Sequence, residues 1–230
     1  MTIQDAKKLH IYFLLDRSGS MESMASDVIG GFNTFLAAQS ADGVDAVMTL
    51  VQFDSENSHE VLANAAALRE VSRLDASNFL PRGGTPLYDA IGHLVADAAI
   101  RSEVRVGERV STEDILFVIF TDGEENQSVE YTRQNIFDLI SRKEQTGWTF
   151  VFMGANQDVY AESDRIGIKA GNTQAFRADR VGSATAFDSV NKAVLSRRSK
   201  LRSNQALDNA DFFEGDKDAE RDLNERSGSK

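Results

Sequence analysis

The chain reads as an α/β protein with one mostly parallel, doubly wound central sheet and helices on both faces. Three observations predict this. Strand-like apolar runs alternate with stretches of helical spacing along most of the 230 residues, as in repeated strand–helix–strand units. Two runs, "HIYFLL" (10–15) and "DILFVIF" (114–120), are apolar almost throughout, as strands buried on both faces are. Each run gives way to a carboxylate, Asp16 and Asp122. Ligands of such sheets bind beyond the carboxyl ends of the strands, where strand order reverses. The two runs are therefore expected to be central neighbours, with their carboxylates converging on one crevice.

The elements follow in order. After "HIYFLL", residues Met21, Met24, Val28, Phe32, Phe35 and Leu36 recur at three- and four-residue steps, one face of a helix. "DAVMTLVQF" (45–53) is a second strand, and "HEVLANA" (59–65) a short third one near an edge, reached through the polar turn "DSENS". "FLPRGGT" (79–85) is a loop. Leu87, Ile91, Leu94, Val95 and Ala98 mark the next helix, with Thr85 as N-cap and Pro86 at its first position. "DILFVIF" leads into the polar loop "GEENQS" and a helix carrying Ile136, Leu139 and Ile140. "WTFVFMG" (148–154) is a strand, "QDVYAESDRIG" a short helix, and "KAGNTQAF" a loop with a short last strand. Val181, Ala184, Phe187, Val190 and Val194 define the final helix. The pattern fades from Ser196, so the expected organisation is one domain over 1–200 and a charged, mobile tail over 201–230. Within that tail only Phe212 and Phe213 suggest docking.

Composition narrows the function. A formal net charge of −11 argues against wholesale binding to nucleic acid or to an anionic membrane, since both need a basic face. The chain has no cysteine, which removes disulfides, thiolate metal sites and a cysteine nucleophile. "MTIQDAKKLHIYFLLD" places lysines before an apolar run too short for a signal-peptide core, and no segment approaches ~20 apolar residues. The expected address is the cytoplasm. Arg197, Arg198, Lys200 and Arg202 form a small basic cluster that reads as a solvated helix end complementing the helix dipole.

Asp16, Ser18 and Ser20 share one strand-end loop, Thr85 tips a glycine-rich loop containing Gly83 and Gly84, and Asp122 tips a third. Each alone is ordinary capping or turn chemistry. Together they offer two carboxylates and three hydroxyls with no imidazole, the ligand chemistry of a hard divalent cation, Mg²⁺ before Mn²⁺ or Ca²⁺. Three neutral ligands under-neutralise such an ion, which would favour an outside anionic oxygen. Arg17 and Arg82, in the same loops, are candidates to contact an acidic partner against the negative field of the chain.

These residues also carry a family resemblance. "DRSGSM" after an apolar strand resembles the D-x-S-x-S motif of von Willebrand factor type A (vWA) domains. "GGTPLYDAI" resembles their threonine loop, and "FVIFTDGEEN" their last metal-loop aspartate. The match in order and context covers residues 8–195. The resemblance implies a Rossmann-like fold. It further implies a metal-ion-dependent adhesion site in which Ser18, Ser20 and Thr85 are hydroxyl ligands and Asp16 and Asp122 bind directly or through water. The site would take an Asp or Glu carboxylate from a partner protein. The absence of cysteine and of a leader, with the segment "FMGANQDVYAESDRIGI", is similar to stand-alone intracellular bacterial members linked to tellurite resistance and stress.

The rival reading is an Mg²⁺-dependent, phosphatase-like hydrolase using Asp16. Such an enzyme needs a second Asp two residues on as general acid, and Ser18 stands there. No phosphate-binding loop G-x-x-x-x-G-K-[ST], dinucleotide fingerprint or G-x-S-x-G elbow is present. His10, His59 and His93 are scattered along the sequence, and no proton-transfer pair is evident. The expectation is a non-catalytic, metal-dependent protein-binding module.

Overall fold

A computed structural model describes residues 7–155 and 158–227. The expected short helix beginning at Gln157 thus lies partly outside the described residues, and residues 1–6 of the stretch weighed as a leader and tail residues 228–230 lie wholly outside them. Strands β1 (Leu9–Asp16), β2 (Ala46–Asp54), β3 (Asn57–Ala67), β4 (Asp114–Thr121), β5 (Thr149–Gly154) and β6 (Thr173–Ala175) form one sheet in the order β3-β2-β1-β4-β5-β6. All neighbours are parallel except the edge hairpin β2–β3. The predicted adjacency holds: β1 pairs with β4 from Leu9 opposite Asp114 to Leu15 opposite Phe120. Strand order reverses between these two strands. β3 is longer than the short strand expected, because its hairpin begins within the "DSENS" turn at Asn57.

Alternation along β1 divides two cores. Leu9, Ile11, Phe13 and Leu15 face helices α1 (Ala25–Ala41) and α5 (Arg180–Arg202). Tyr12 and Leu14 face α2 (Leu87–Gly107) and α3 (Arg133–Glu144), with α4 (Val159–Arg165) alongside. Every residue of β1 and β4 is buried, which explains their unbroken apolar sequence. On the first face Phe13 meets Phe32 edge-on at 5.3 Å, and Phe120 stacks on Phe187 at 4.6 Å. Gly31 makes this packing possible. A Cβ there would lie 2.2 Å from the Phe187 ring, so α1 and α5 approach closely only without it.

The tail departs from the mobile segment expected. Phe212 and Phe213 are buried with the α1–α5 core, and α6 (Asp218–Ser227) buries Ala219 there. The Phe212 N–H donates to Asn172 Oδ1 at 2.8 Å, and Arg226 pairs with Asp179 at 2.6 Å. Two aromatic rings outweigh the surrounding charge because their neighbours stay at the surface and pair locally. The basic cluster also departs from a solvated helix end. Arg197 is buried on Asp114 at 2.6 Å, and Arg198 is buried on Asp45 at 2.5 Å and the Gln39 carbonyl. Of the four, Lys200 and Arg202 are the more exposed, and both pair with acids.

Below the sheet, His10 is fully buried between Thr49 and Glu113. The Glu113 carboxylate can only accept, so the neutral ring donates its Nδ1–H there at 3.0 Å and Nε2 accepts the Thr49 hydroxyl, which itself accepts the Ala65 N–H. Burial lowers the His10 pKa and keeps the ring neutral. Burial would raise Glu113, yet hydrogen bonds from His10 and Arg101 outweigh it and hold the carboxyl at about 2.

Two outcomes are expected. Phe213→Ala should cost about 3 kcal/mol in chemical denaturation, the scale for a buried ring; a loss below about 0.5 kcal/mol would return the tail to a mobile segment. Glu113 is depressed in the fold, so its contribution is present above the unfolded carboxyl range near 4.3 and is lost as pH falls toward 2. Thermal midpoints of Glu113→Gln should therefore fall less steeply than wild type between about pH 4.3 and 2. Parallel curves would contradict this.

Candidate metal site

β1 ends at Asp16 and β4 at Thr121, and both chains turn outward at the reversal of strand order. From β1 the chain passes through Arg17 and Ser18 into a 3₁₀ turn, Gly19–Met24, before α1 begins. Backbone bonds stitch this loop to its neighbours like a short sheet. Arg17 N–H donates to Phe53 O, Arg82 N–H to Arg17 O, and Gly19 N–H to Gly83 O, at 2.9–3.0 Å. On the far side Thr85 N–H donates to Asn126 Oδ1 at 2.9 Å, and Asn126 N–H returns to Thr85 O at 3.1 Å. All three loops are thereby fixed to one another.

Their oxygens converge. Asp16, fully buried, accepts the Ser18 N–H at 2.7 Å and the Thr121 hydroxyl at 2.6 Å. Ser18 Oγ lies 3.0 Å from Ser20 Oγ, and Ser20 Oγ donates to Asp122 Oδ1 at 2.7 Å. Gly123 lies at the centre. A Cβ on it would stand 3.1 Å from Thr85 Oγ1, 3.5 Å from Ser20 Oγ and 3.9 Å from Asp16 Oδ2. The structure thus brings together all five side chains expected at the site around a space that glycine leaves open.

Thr85 is not the N-cap the sequence suggested. The cap position is Pro86, and the first N–H groups of α2 are satisfied from the 122–128 loop. Tyr88 N–H donates to Glu125 Oε2 at 2.9 Å and to Ser128 Oγ at 3.0 Å. Capping from outside leaves the Thr85 hydroxyl free to face the cluster.

Electrostatics at the cluster are unbalanced. Burial pushes the Asp16 carboxyl up to about 6, against hydrogen bonds from Thr121 and Ser18 and with the charge of Asp122 nearby. Burial also raises Asp122. An all-oxygen cluster with two carboxylates, three hydroxyls and an open cradle fits a hard divalent cation. Its donors are too few in carboxylates to be a dense acidic cluster: among the described residues no group of three or more His, Cys, Asp or Glu is placed to hold a metal.

The two arginines separate. Arg17 is buried, with Nε and Nη2 on Asp54 (2.9 and 2.6 Å), and Nη1 on Gln52 and Glu60. It braces the first loop against β2 and β3, which corrects its assignment as a partner contact: its guanidinium is spent on three internal acceptors. Arg82 keeps a 40% exposed side chain, held by Asp54 at 3.1 Å and Glu56 at 3.3 Å. Sequence reasoning missed Thr121, Gly123 and Asn126. Thr121 carried a legible signal, a hydroxyl ending an otherwise apolar strand; Asn126 carried none, because its bond to Thr85 spans 41 residues.

Similarity to known proteins agrees with this fold. No curated protein matches the chain. Among solved structures, similar ones include manganese-loaded TRAP protein of Plasmodium vivax (TM-score 0.50, 16% identity, covering 79% of this chain and 72% of that one). The pilus adhesin SpaC of Lactobacillus rhamnosus GG is also similar (TM-score 0.62, 15% identity, 84% and 31% covered). So is proximal thread matrix protein 1 of the mussel byssus, with a zinc-occupied MIDAS motif (TM-score 0.55, 14% identity, 83% and 48% covered). The chain spans less than half the length of the latter two, and at these identities the likeness is one of fold. Among the described residues no helix is long and apolar enough to cross a membrane. The profile of the von Willebrand factor type A domain matches residues 10–192, and the chain belongs to that family of metal-binding protein-interaction modules.

Proposed function

We propose that the chain is a non-catalytic, metal-dependent protein-binding module with its adhesion site at Asp16, Ser18, Ser20, Thr85 and Asp122. A divalent cation held there, Mg²⁺ before Mn²⁺ or Ca²⁺, would offer an open coordination position to an Asp or Glu carboxylate of a partner protein. One observation carries the reading: Asp16 is a buried carboxylate without a matching charge. Elsewhere the fold compensates such groups. Asp54 meets Arg17 and Arg82, Asp114 meets Arg197, and Glu113 meets Arg101. Asp89 accepts three backbone N–H groups. Asp16 has one N–H and one hydroxyl among the described residues. An ionised carboxylate removed from water needs more than that, and a cation in the Gly123 cradle would supply it.

The chain's own residues support binding over turnover. The Ser18 hydroxyl, at the place of a hydrolase's general acid, is engaged with Ser20. Neither Asp16 nor Asp122 has an imidazole or an ammonium group among its described partners. The loops are cross-linked by backbone bonds, so the donor set is preorganised. Arg82, exposed beside this rim, is the remaining candidate for contact with an acidic partner.

Two measurements test the reading. In calorimetric titration with Mg²⁺ or Mn²⁺, Asp122→Ala and Gly123→Ala should fold as wild type yet bind at least about tenfold more weakly, one losing a ligand and the other filling the cradle. Affinities equal to wild type would misplace the site. In pull-downs from the host, a partner retained in Mg²⁺ should be lost with chelator and with Asp122→Ala. Retention in all three conditions would mean that the contact runs through another face.

A further inference from the structure

On the α2 side of the sheet a cavity of about 370 Å³ lies between β1, β2, the edge strand β3 and α2. Its floor is formed by Tyr12 and Thr49. The β3 ladder beside it is irregular. Its register on β2 shifts between Met48 and Leu50 and again before Val51, and Ala65 has φ +48°, a left-handed conformation unusual for a residue with a side chain. Thr49 repairs this irregularity by accepting the Ala65 N–H at 3.0 Å and bonding His10 at 2.9 Å, which commits its one proton to His10.

Tyr12 is left over. Its ring is clamped between His10 at 3.9 Å and Phe117 at 4.8 Å, and its side chain is buried. Its hydroxyl is buried yet has no hydrogen-bond partner among the described residues. A native fold rarely leaves such a group unmatched, and each instance asks for an explanation. Burial raises its pKa, so at neutral pH it remains an O–H donor.

The rest of the lining suggests what it donates to. Arg101 pairs with Glu113 through Nε and Nη2, which leaves Nη1 outside that pair. Asp97, the acidic lining residue, is bonded to His59 at 2.8 Å and stands 58% exposed. Around the mouth stand Val61, Ile100 and Val104, at 43%, 61% and 51% exposure. Apolar walls with a few placed polar groups are the usual make-up of a small-molecule site.

We infer that this cavity binds a small amphipathic monocarboxylate. Its carboxylate would accept hydrogen bonds from the Tyr12 hydroxyl and Arg101 Nη1, and its aliphatic body would lie along Val61, Ile100 and Val104. The volume of about 370 Å³ lies at the small end of the range for small-molecule pockets. Asp97 at the rim disfavours a dianion. The site is separate from the Asp16 cluster and does not depend on metal.

The test is titration of the full chain with hexanoate, hexan-1-ol and hexylamine, followed by calorimetry and by amide shifts. Hexanoate is expected to saturate, with shifts at Val61, Ile100 and Val104, in the presence or absence of chelator. Hexan-1-ol and hexylamine should bind at least about tenfold more weakly, the scale of a charge-assisted hydrogen bond. Tyr12→Phe should weaken hexanoate about tenfold while leaving the melting temperature equal or higher, because the hydroxyl it removes is unmatched. Ile100→Asp, an exposed change at the mouth, should weaken hexanoate without unfolding the chain. Absence of saturation, equal binding of hexan-1-ol, unchanged affinity in Tyr12→Phe, or a lowered melting temperature in that variant would each overturn the inference.

Discussion

Parallel pairing of β1 with β4 governs the carboxyl edge of this protein. The ladder runs from Leu9 opposite Asp114 to Leu15 opposite Phe120, so Asp16 and Thr121 leave the sheet side by side. Their hydroxyl–carboxylate bond of 2.6 Å follows from that register. A slip of one residue would turn the side chains of β1 to the opposite face and take Asp16 with them. The register is held by two apolar cores, because Phe13 and Leu15 cannot exchange faces with Tyr12 and Leu14 without exposing both sets. Site geometry is thus a consequence of packing around Phe13, three residues along the strand, about 10 Å, from the carboxylate it positions.

The loops are fixed by a different device. Arg17 would be an unlikely brace in isolation, since burying a guanidinium is costly. Here Asp54 lies under it at 2.6 Å and itself accepts two backbone N–H groups, from Glu56 and Asn57. Burial would raise the Asp54 pKa, but hydrogen bonds from Arg17 and those N–H groups lower it, so the pair stays ionised. One carboxylate therefore anchors the first loop, the β2–β3 turn and, through Arg82, the glycine-rich loop. This arrangement lets the Asp16 cluster remain short of positive charge without the loops springing apart.

Much of this was legible in the sequence, for identifiable reasons. Central strands read as unbroken apolar runs because both faces are buried, and their terminal carboxylates stood out against that background. Local hydroxyls at Ser18, Ser20 and Thr85 were visible as a set because each sat at an element end. The remainder depends on pairings across long stretches of chain. Whether Arg17 points outward or onto Asp54 is decided 37 residues away, and Arg198 is buried by acceptors more than 150 residues distant. Composition read the tail as solvated because charge dominates it, while two adjacent rings, Phe212 and Phe213, decide its position. Asp114 was absorbed into a strand pattern as its first residue, with no local sign that Arg197 would cover it.

The central strand is where polar groups cost most, and β1 holds three of them: His10, Tyr12 and Asp16. His10 is answered in full by Thr49 and Glu113. Among the described residues Tyr12 has no hydrogen-bond partner for its hydroxyl, and Asp16 has one N–H and one hydroxyl but no cationic side chain. A sequence free to place leucine at 12 and serine at 16 would keep the same apolar faces and shed both deficits. The two groups differ in sign: Asp16 is an acceptor and Tyr12 a donor. On the two proposals made above, the first would meet a metal at the carboxyl edge and the second an anionic oxygen beneath α2, so a single strand would orient two sites of opposite electrostatic demand.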